Sequence, residues 1–290
     1  MNLLKKSLIL PKYEGETGFR NKLVHTTMEA VAKGVFVMYQ NILVHKQNGI
    51  AEIICNRPHV RNALSLEMME ELQDALTSCE TDDSIKVILF TGEGSAFVSG
   101  GDLRQFGAVK GEDSLPLLQK AEQLLTRIDL FRKPTIAMVN GPAIGGGAEF
   151  ACACHFRFMS ELAVFRFVQI TMHITTGFGG GSRLFAKMPE SIALRLLLTG
   201  EKLGPEEALQ IGLVEGVYQA DELREKTLEF AAVIAKQPLK SISAYMNMLT
   251  WKKKGASLQE SIQMELEQCA TLWGNEKHLQ YISSFFRKSE

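Results

Sequence analysis

Short runs of strand-forming apolar residues alternate with amphipathic segments along the middle of this chain, and this alternation limits the fold more than any other feature. Strand-like runs lie at residues 86–91, 134–139 and 156–159. Before and between them, apolar residues recur at helical spacing over residues 65–79 and 115–130. Helical patterns dominate the last third of the chain. The sequence therefore predicts an α/β core followed by a helical region.

Composition and charge exclude several classes of protein. Of the 290 residues, 46% are hydrophobic and 22% are charged, which is typical of a globular chain and not of a disordered one. Lys and Arg number 32 against 33 Asp and Glu, so the basic excess of a nucleic-acid binder is missing. No apolar run approaches the roughly 18 residues of a membrane helix. We therefore expect neither a nucleic-acid partner nor a membrane partner.

Cysteine and histidine are scattered through the sequence rather than clustered. The five cysteines form no C-x-x-C pair, and the six histidines form no H-x-x-x-H pair. Zinc sites normally bring such ligands together at short spacings. We therefore expect no bound metal, and we expect reduced thiols in a cytoplasmic protein.

The first 37 residues lack the regular pattern that begins at Met38. Two explanations fit this difference: residues 1–37 precede a natural start at Met38, or they form a genuine N-terminal arm. Two strand patterns follow, joined by a turn at residues 47–49. Residues 38–58 therefore predict a β-hairpin.

A first glycine pair, Gly100 and Gly101, follows an apolar stretch that begins at Ala96. Two glycines allow the backbone to approach a ligand closely, with its amides pointing outward. Asp102 is then suited to cap a short helix over residues 103–106. The alternative is a plain turn with no ligand.

A glycine run at residues 145–147 opens a helix directly after a buried strand. The free amides at the start of a helix form a natural site for a negatively charged oxygen. The helix over residues 148–155 is apolar or small on nearly every side, so we expect it to be buried. Glu149 lies in its first turn, where burial raises the pKa of the carboxyl and the helix dipole lowers it. A simple helix-capping role for Glu149 is the alternative.

A second glycine run at residues 179–181 opens another helix, for which Ser182 is suited as the cap. Gln169 and His173 are the polar side chains in the stretch that precedes it. Taken alone, each of these two residue types more often satisfies a structural hydrogen bond than performs chemistry.

The order of six short motifs resembles the crotonase superfamily, the enoyl-CoA hydratase/isomerase group. The motifs are N-R-P at 56–58, R-N-A-L at 61–64, A-F-V-S-G-G-D at 96–102, K-P-T-I-A-M-V-N-G at 133–141, I-G-G-G-A-E at 144–149 and G-F-G-G-G-S-R-L at 177–184. The resemblance implies an α/β fold, a spiral of ββα repeats with a C-terminal helical trimerisation region. It divides the chain into an N-terminal extension at 1–37, a core at 38–198 and a helical oligomerisation region at 199–290, and it implies a homotrimer or hexamer.

The resemblance also implies an acyl-CoA thioester as substrate, so that coenzyme A arrives with the substrate and no separate cofactor is needed. Its thioester oxygen is expected in an oxyanion hole formed by the backbone amides of Gly101 and Gly146, where each donor is worth roughly 3–4 kcal/mol. The segments around these amides are expected to bind the substrate. By motif position the substrate-binding residues are Arg61, Ala63, Leu64, Gly100, Asp102, Leu103, Gly145 and His173.

One departure from the family pattern bears on the reaction. Hydratases of the family use two glutamates, and this chain has Glu149 at the first position but Gln169 at the second. Glutamine cannot shuttle a proton, and a positioned acid or base contributes typically 10²–10⁴-fold. A weaker likeness to ethylmalonyl-CoA decarboxylases favours decarboxylation of a short malonyl-type acyl-CoA. Hydration or double-bond isomerisation through Glu149 alone and a non-catalytic acyl-CoA binder are the alternatives.

Overall fold

A seven-stranded sheet lies at the centre of the computed structural model, which describes residues 35–287. Most of the predicted N-terminal extension, residues 1–34, lies outside the described residues. The strands are β1 Val35–Met38, β2 Ile42–Gln47, β3 Ile50–Cys55, β4 Val87–Gly92, β5 Thr135–Val139, β6 Ala143–Ile144, β7 Phe156–Ser160, β8 Phe165–Arg166 and β9 Gly216–Tyr218. The sheet has the order β1-β2-β3-β4-β5-β7-β9, and β6 pairs with β8 in a separate two-stranded sheet.

The sheet changes from antiparallel to parallel pairing at β3. Strands β1, β2 and β3 pair antiparallel, and β3, β4, β5, β7 and β9 pair parallel. Only Asn48 and Gly49 separate β2 from β3, with φ angles of 52° and 82°. Two central residues with positive φ are typical of the tight turn that suits a β-hairpin. The predicted hairpin is confirmed.

Helices connect the parallel strands and form the C-terminal part of the described chain. Within residues 35–287 they are α1 Leu66–Thr81, α2 Leu103–Phe106, α3 Leu115–Asp129, α4 Gly146–Ala153, α5 Gly180–Lys187, α6 Glu190–Thr199, α7 Pro205–Gln210, α8 Leu223–Ala235, α9 Leu239–Lys253, α10 Leu258–Leu272 and α11 Glu276–Arg287. Parallel strands need such crossover connections, so the predicted α/β core is confirmed.

Helix α1 shows how local sequence sets an element. Ser65 caps it, because its side chain accepts a hydrogen bond from the Met68 amide. Met68, Leu72 and Leu76 recur at helical spacing and are buried against the sheet. The predicted helix is confirmed, and it ends two residues later than its pattern suggested, at Thr81.

Both faces of the sheet are covered, which explains why its central parallel strands β4 and β5 are fully buried and mostly apolar. On one face the rings of Phe90 and Phe97 pack edge-on against Phe150 of α4, with centroids 5.2 and 5.8 Å from it. On the other face α8 covers a smaller cluster that includes Leu89 and Ile136. The first cluster buries α4 on all sides, so every group in that helix is fixed by packing.

The region predicted to be helical also contributes to the sheet. Strand β9 lies beyond residue 198, pairs with β7, and is followed by α8, which packs on the sheet. A three-residue strand is too short to give a periodic signal, so the sequence pattern missed it. Helix α10 buries none of its residues, and Leu258, Ile262 and Leu266 are exposed at four-residue spacing along it.

The thiols are distributed unevenly between core and surface. Four cysteines are buried and Cys269 of α10 is exposed. Burial raises the pKa of the Cys55 and Cys154 thiols to about 12. In the described part of the chain, no three His, Cys, Asp or Glu residues are grouped so that they could hold a metal ion. Across the same residues, no helix has the length and apolar character needed to cross a membrane.

Candidate functional site

The two glycine segments singled out in the sequence lie side by side. Ile144 donates a hydrogen bond from its amide to the Val98 carbonyl over 3.1 Å, which joins the segments just before their glycines. A Cβ placed on Gly100 would lie 3.6 Å from the amide nitrogen of Gly146. The structure therefore brings the predicted pair, Gly101 and Gly146, onto neighbouring stretches of backbone.

The amides of Gly101 and Gly146 are both free to bind a ligand. Neither N–H donates to another group within residues 35–287. Gly146 is the first residue of α4 and follows Gly145, whose φ of 54° turns the chain into the helix. Two neighbouring N–H donors, one of them at a helix N-terminus, suit an oxygen that carries negative charge.

Two phenylalanine rings cover these glycines. A Cβ on Gly101 would lie 2.9 Å from the Phe106 ring, and a Cβ on Gly146 would lie 2.3 Å from the Phe178 ring. The two rings also contact each other, with centroids 5.4 Å apart. Any larger residue at either glycine would have to displace a ring. Sequence reasoning missed both phenylalanines, and an aromatic residue inside a glycine run was the one available signal for Phe178.

Glu149 is buried in the first turn of α4, with 1% of its surface exposed. Its Oε1 accepts a hydrogen bond from Gln169 Nε2 over 2.7 Å. Its Oε2 accepts from the amides of Phe178 and Gly180 over 2.9 and 2.7 Å. Burial raises the pKa of Glu149, and these donors oppose the rise without cancelling it. Burial, which was expected from the sequence to raise the pKa of this carboxyl, is the largest influence on that pKa in the structure.

Gln169 lies beside both Glu149 and the glycine run. It belongs to a 3₁₀ helix, Val168–Met172, and is 7% exposed. A Cβ on Gly145 would lie 3.8 Å from its Nε2. Its Oε1 is buried and has no hydrogen-bond partner among the described residues. The site therefore combines two free amides, one buried carboxyl group and one unused acceptor.

Asp102 holds the loop that carries Gly101. Its Oδ1 accepts from the Arg104 amide over 3.0 Å, so the predicted cap of α2 is confirmed. Its Oδ2 accepts from Arg57 Nη2 over 2.8 Å. Burial raises the pKa of Asp102, but the hydrogen bonds from Arg57 and the Arg104 amide together lower it by more. The pKa of Asp102 is therefore below its ordinary value. Both oxygens are thus engaged with protein, while Leu103 beside it is 71% exposed.

The segment from Arg61 to Leu64 runs alongside the first glycine pair. The Leu64 amide donates to the Gly100 carbonyl over 2.8 Å. Asn62 is fully buried, and its Nδ2 donates to the carbonyls of Glu93 and Ala96, which fixes the turn. Arg61 is exposed beside it, with a φ of 53°, and Ala63 is buried. Of these groups, Arg61 is accessible to a substrate.

His173 lies at the end of the 3₁₀ helix that carries Gln169. It is exposed and adopts a left-handed conformation with φ of 59°. Its amide donates to the Ile170 carbonyl over 3.1 Å. Its ring makes no hydrogen bond within the described part of the chain. His173 therefore has an exposed ring four residues beyond Gln169, and it contacts neither Glu149 nor Gln169 through a side-chain hydrogen bond.

One prediction near the site is wrong. Ser182 does not cap α5, because that helix begins two residues earlier, at Gly180, with Gly179 as its cap residue. The amides at this helix start bind distant or preceding side chains instead. Gly180 donates to Glu149, and Gly181 donates to Thr176 Oγ1 over 3.1 Å.

Known proteins resemble this chain over most of its length. The enoyl-CoA hydratase/isomerase family model matches residues 45–288. A relative from Bacillus subtilis (strain 168), named probable enoyl-CoA hydratase, is 35% identical over 229 residues, which is 78% of this chain and 88% of that protein. The ethylmalonyl-CoA decarboxylase of Gallus gallus is 28% identical over 275 residues, 93% of this chain and 90% of that protein.

The fold is also found among solved structures. An enoyl-CoA hydratase from Geobacillus kaustophilus HTA426 superimposes with a TM-score of 0.83 at 28% identity, covering 88% of this chain and 97% of that one. The chain therefore belongs to the enoyl-CoA hydratase/isomerase family and is an acyl-CoA enzyme of the crotonase superfamily.

Proposed function

We propose that the protein decarboxylates a short malonyl-type acyl-CoA. The bond between the α-carbon and the carboxylate breaks, CO₂ leaves, and the electron pair passes into the thioester as an enolate. The free amides of Gly101 and Gly146 hold the enolate oxygen, at roughly 3–4 kcal/mol for each donor. The α-carbon then takes up one proton. The observation that carries this proposal is the direct contact between Glu149 and a neutral partner, Gln169.

A neutral residue at position 169 suits a substrate that brings its own carboxylate. Two like charges 4 Å apart repel by about 4 kcal/mol at an effective dielectric constant of about 20. An ionised second glutamate here would add this repulsion against the substrate carboxylate and, whenever Glu149 is ionised, against Glu149 as well. The neutral side chain of Gln169 avoids both repulsions, so an anionic substrate can bind beside Glu149.

Glu149 is suited to supply the proton that completes the reaction. Burial raises its pKa, so the group holds a proton at higher pH than an exposed glutamate does. The amides of Phe178 and Gly180 and the Gln169 side chain stabilise the carboxylate that remains after the transfer. A group that is stable in both protonation states can donate and recover a proton in each cycle.

Hydration is the second candidate, and the relatives named hydratases favour it. The free Oε1 of Gln169 can accept a hydrogen bond from a water molecule, while Glu149 removes its proton. Double-bond isomerisation needs one proton-transfer group and can use the same residue. A non-catalytic binder is disfavoured, because a binder has no use for a buried carboxyl group that costs stability.

Product analysis separates these reactions. The purified protein is incubated with ethylmalonyl-CoA, methylmalonyl-CoA and crotonyl-CoA, and products are followed by mass spectrometry. We expect loss of CO₂ from a malonyl-type thioester and little hydration of crotonyl-CoA. Glu149→Gln is expected to abolish the loss of CO₂. Hydration of crotonyl-CoA without decarboxylation contradicts the proposal.

The variant Gln169→Glu is the sharper comparison. It restores the pair of glutamates that the family uses for hydration, and it adds a charge beside the substrate carboxylate. We expect decarboxylation to fall and crotonyl-CoA hydration to rise. If decarboxylation by Gln169→Glu equals that of the wild type, the neutral side chain is not what suits the site to an anionic substrate.

We also propose that the protein is a cytoplasmic homotrimer or hexamer. The exposed apolar residues along α10 support assembly, since a stripe of this kind is normally covered in a soluble protein. Buried, unpaired thiols support a reducing compartment. Coenzyme A enters as part of the substrate, and the proposed chemistry needs no further cofactor.

A further inference from the structure

The turn that donates to Glu149 is held from its other side by a buried arginine. Arg183 lies in α5 and is 9% exposed. Its Nη1 donates to the Phe178 carbonyl over 2.6 Å. Its Nη2 donates to Thr126 Oγ1 of α3, also over 2.6 Å. The planar guanidinium therefore ties the turn to a helix of the core in one fixed geometry.

The turn of residues 177–180 is confined between Arg183 and Glu149. A Cβ on Gly179 would lie 2.7 Å from Arg183 Nη1. A Cβ on Gly180 would lie 2.2 Å from Glu149 Cγ. A side chain at either position would have to displace Arg183 or Glu149, so the backbone fills the space between a cation and a carboxyl group. Through Phe178, one residue of this turn accepts from the cation and donates to the carboxyl group.

We propose that Arg183 is a positioning residue that holds this turn so that the amides of Phe178 and Gly180 point at the Glu149 carboxylate. Arg183 does not itself contact Glu149 through a hydrogen bond. Its effect passes through the backbone, where a donor–acceptor chain in a low-dielectric interior is strengthened by the charges at both ends. The inference rests on the proposed use of Glu149 as the proton-transfer group.

Two charged residues on α3 hold Arg183 in place, and a lysine on α9 holds one of them. Its Nε lies 3.7 Å from Asp129 Oδ2, and its Nη2 lies 3.9 Å from Glu122 Oε1, both on α3. Asp129 also accepts from Lys253 of α9 over 2.7 Å and lies 3.5 Å from Lys187. Burial raises the pKa of Asp129, but these cations together lower it by more, so the carboxyl group stays ionised. A chain of contacts thus runs from α9 to Glu149.

The test uses Arg183→Lys, which keeps the charge and loses the fork that binds two partners. The pKa of Glu149 is read by infrared difference titration against Glu149→Gln, which requires no turnover. We expect the pKa of Glu149 to rise by about one unit, because the carboxylate loses well-aligned donors. Deuterium exchange at the α-carbon of butyryl-CoA, which needs proton transfer but no decarboxylation, is expected to slow about tenfold.

Arg157→Lys is the matched control. Arg157 is also buried, donates to the Cys154 carbonyl over 2.7 Å and to the Leu213 carbonyl, and pairs with Glu215. It does not contact the turn of residues 177–180. We expect this variant to lose stability as Arg183→Lys does, and to leave the pKa of Glu149 and the exchange rate unchanged.

Two results would overturn the inference. One is an unchanged pKa of Glu149 in folded Arg183→Lys, and the other is an equal shift in Arg157→Lys. If Arg183→Lys does not fold, Thr126→Val is used to test the inference. This variant removes one hydrogen-bond acceptor of the guanidinium and keeps Arg183 itself. Its pKa shift is expected in the same direction and smaller, and no shift rejects the inference. Failure to decarboxylate any substrate affects the proposed function alone, because both readouts are independent of that reaction.

Discussion

Glu149 shows how one residue can be both buried and chemically useful. Three donors converge on its two oxygens, one from Gln169 and two from the turn of residues 177–180. They stabilise the carboxylate, while burial favours the protonated acid. The balance keeps the pKa above its ordinary value but leaves both forms accessible.

The raised pKa of Glu149 predicts a pH-dependent cost in stability. Its stabilising contribution is fully present below the ordinary pKa of a glutamate and is lost as pH rises through the folded-state value. Glu149→Gln removes the ionisation, so we expect the free energy of unfolding of this variant to exceed that of the wild type near pH 8. Urea denaturation across a pH series measures the difference. It is expected to shrink towards pH 4, and a difference that is constant with pH contradicts the argument.

Gly180 predicts a local steric effect on the acid. Its added Cβ would lie 2.2 Å from Glu149 Cγ, so Gly180→Ala has to displace a buried carboxyl group. We expect a loss of about 1–3 kcal/mol in unfolding free energy and loss of turnover. Gly204→Ala is the control, because nothing lies within 4 Å of its Cβ and its φ is −76°. Equal losses in the two variants would show that the effect is not steric.

Sequence alone located the central residues of the site but not their supports. Motif order placed Glu149 and Gln169, and the structure brings them into contact. Motif order gave no indication that Arg183 and Phe178 belong to the hydrogen-bond network around Glu149. The Phe178 amide meets Glu149 across 29 positions through a backbone group that any residue type carries, and the side chains of Arg183 and Thr126 meet across 57 positions. Such pairings depend on the finished fold, so no local pattern predicts them.

At the scale of elements, local signals were reliable where an element is stabilised by its own neighbours. The turn at Asn48 and the cap at Asp102 involve residues two to four positions apart, and both were predicted. The start of α5 was predicted wrongly, because Glu149 and Thr176 satisfy its amides in place of Ser182. The first amides of α5 are thus satisfied by side chains of the candidate site and not by a residue at the helix start.

Helix α2 predicts a difference between two substitutions of its cap. Asp102→Asn keeps a side chain that can cap the helix but loses the ion pair with Arg57. Asp102→Ala loses both the cap and the ion pair. We expect Asp102→Ala to cost about 1 kcal/mol more than Asp102→Asn. Thermal unfolding of both variants beside the wild type measures the gap, and equal stability of the two would contradict a capping role.

The same cap predicts a dependence on pH of the opposite sign to that of Glu149. The pKa of Asp102 is lowered in the folded protein, so its contribution is present above its ordinary pKa and is lost as pH falls through the folded value. The advantage of the wild type over Asp102→Asn should therefore vanish in acid. An advantage that persists in acid would place the effect in packing and not in the ion pair.

At the scale of the whole molecule, the described chain is unevenly covered. The sheet is packed on both faces, whereas α10 leaves Leu258, Ile262 and Leu266 open to solvent. We expect another copy of the chain to cover this stripe. The paired substitution Ile262→Glu and Leu266→Glu should reduce the mass measured by light scattering to that of a monomer.

The control for assembly places two negative charges elsewhere on the same helix, with Gln263→Glu and Thr271→Glu. Both residues are exposed and lie outside the stripe. We expect this variant to keep the mass of the wild type, and both variants to keep their helical circular dichroism. An unchanged mass in the Ile262 and Leu266 variant would show that assembly uses another surface.

The distribution of the thiols has a practical consequence. Because the other four cysteines are buried, a maleimide should attach to each chain at Cys269 alone. Cys269 follows Leu266 by three residues, so the two side chains share one side of α10. A copy seated there would shield the thiol, and labelling would wait for the copies to separate. The rate at which Cys269 is labelled would then measure the lifetime of the oligomer without any engineered probe.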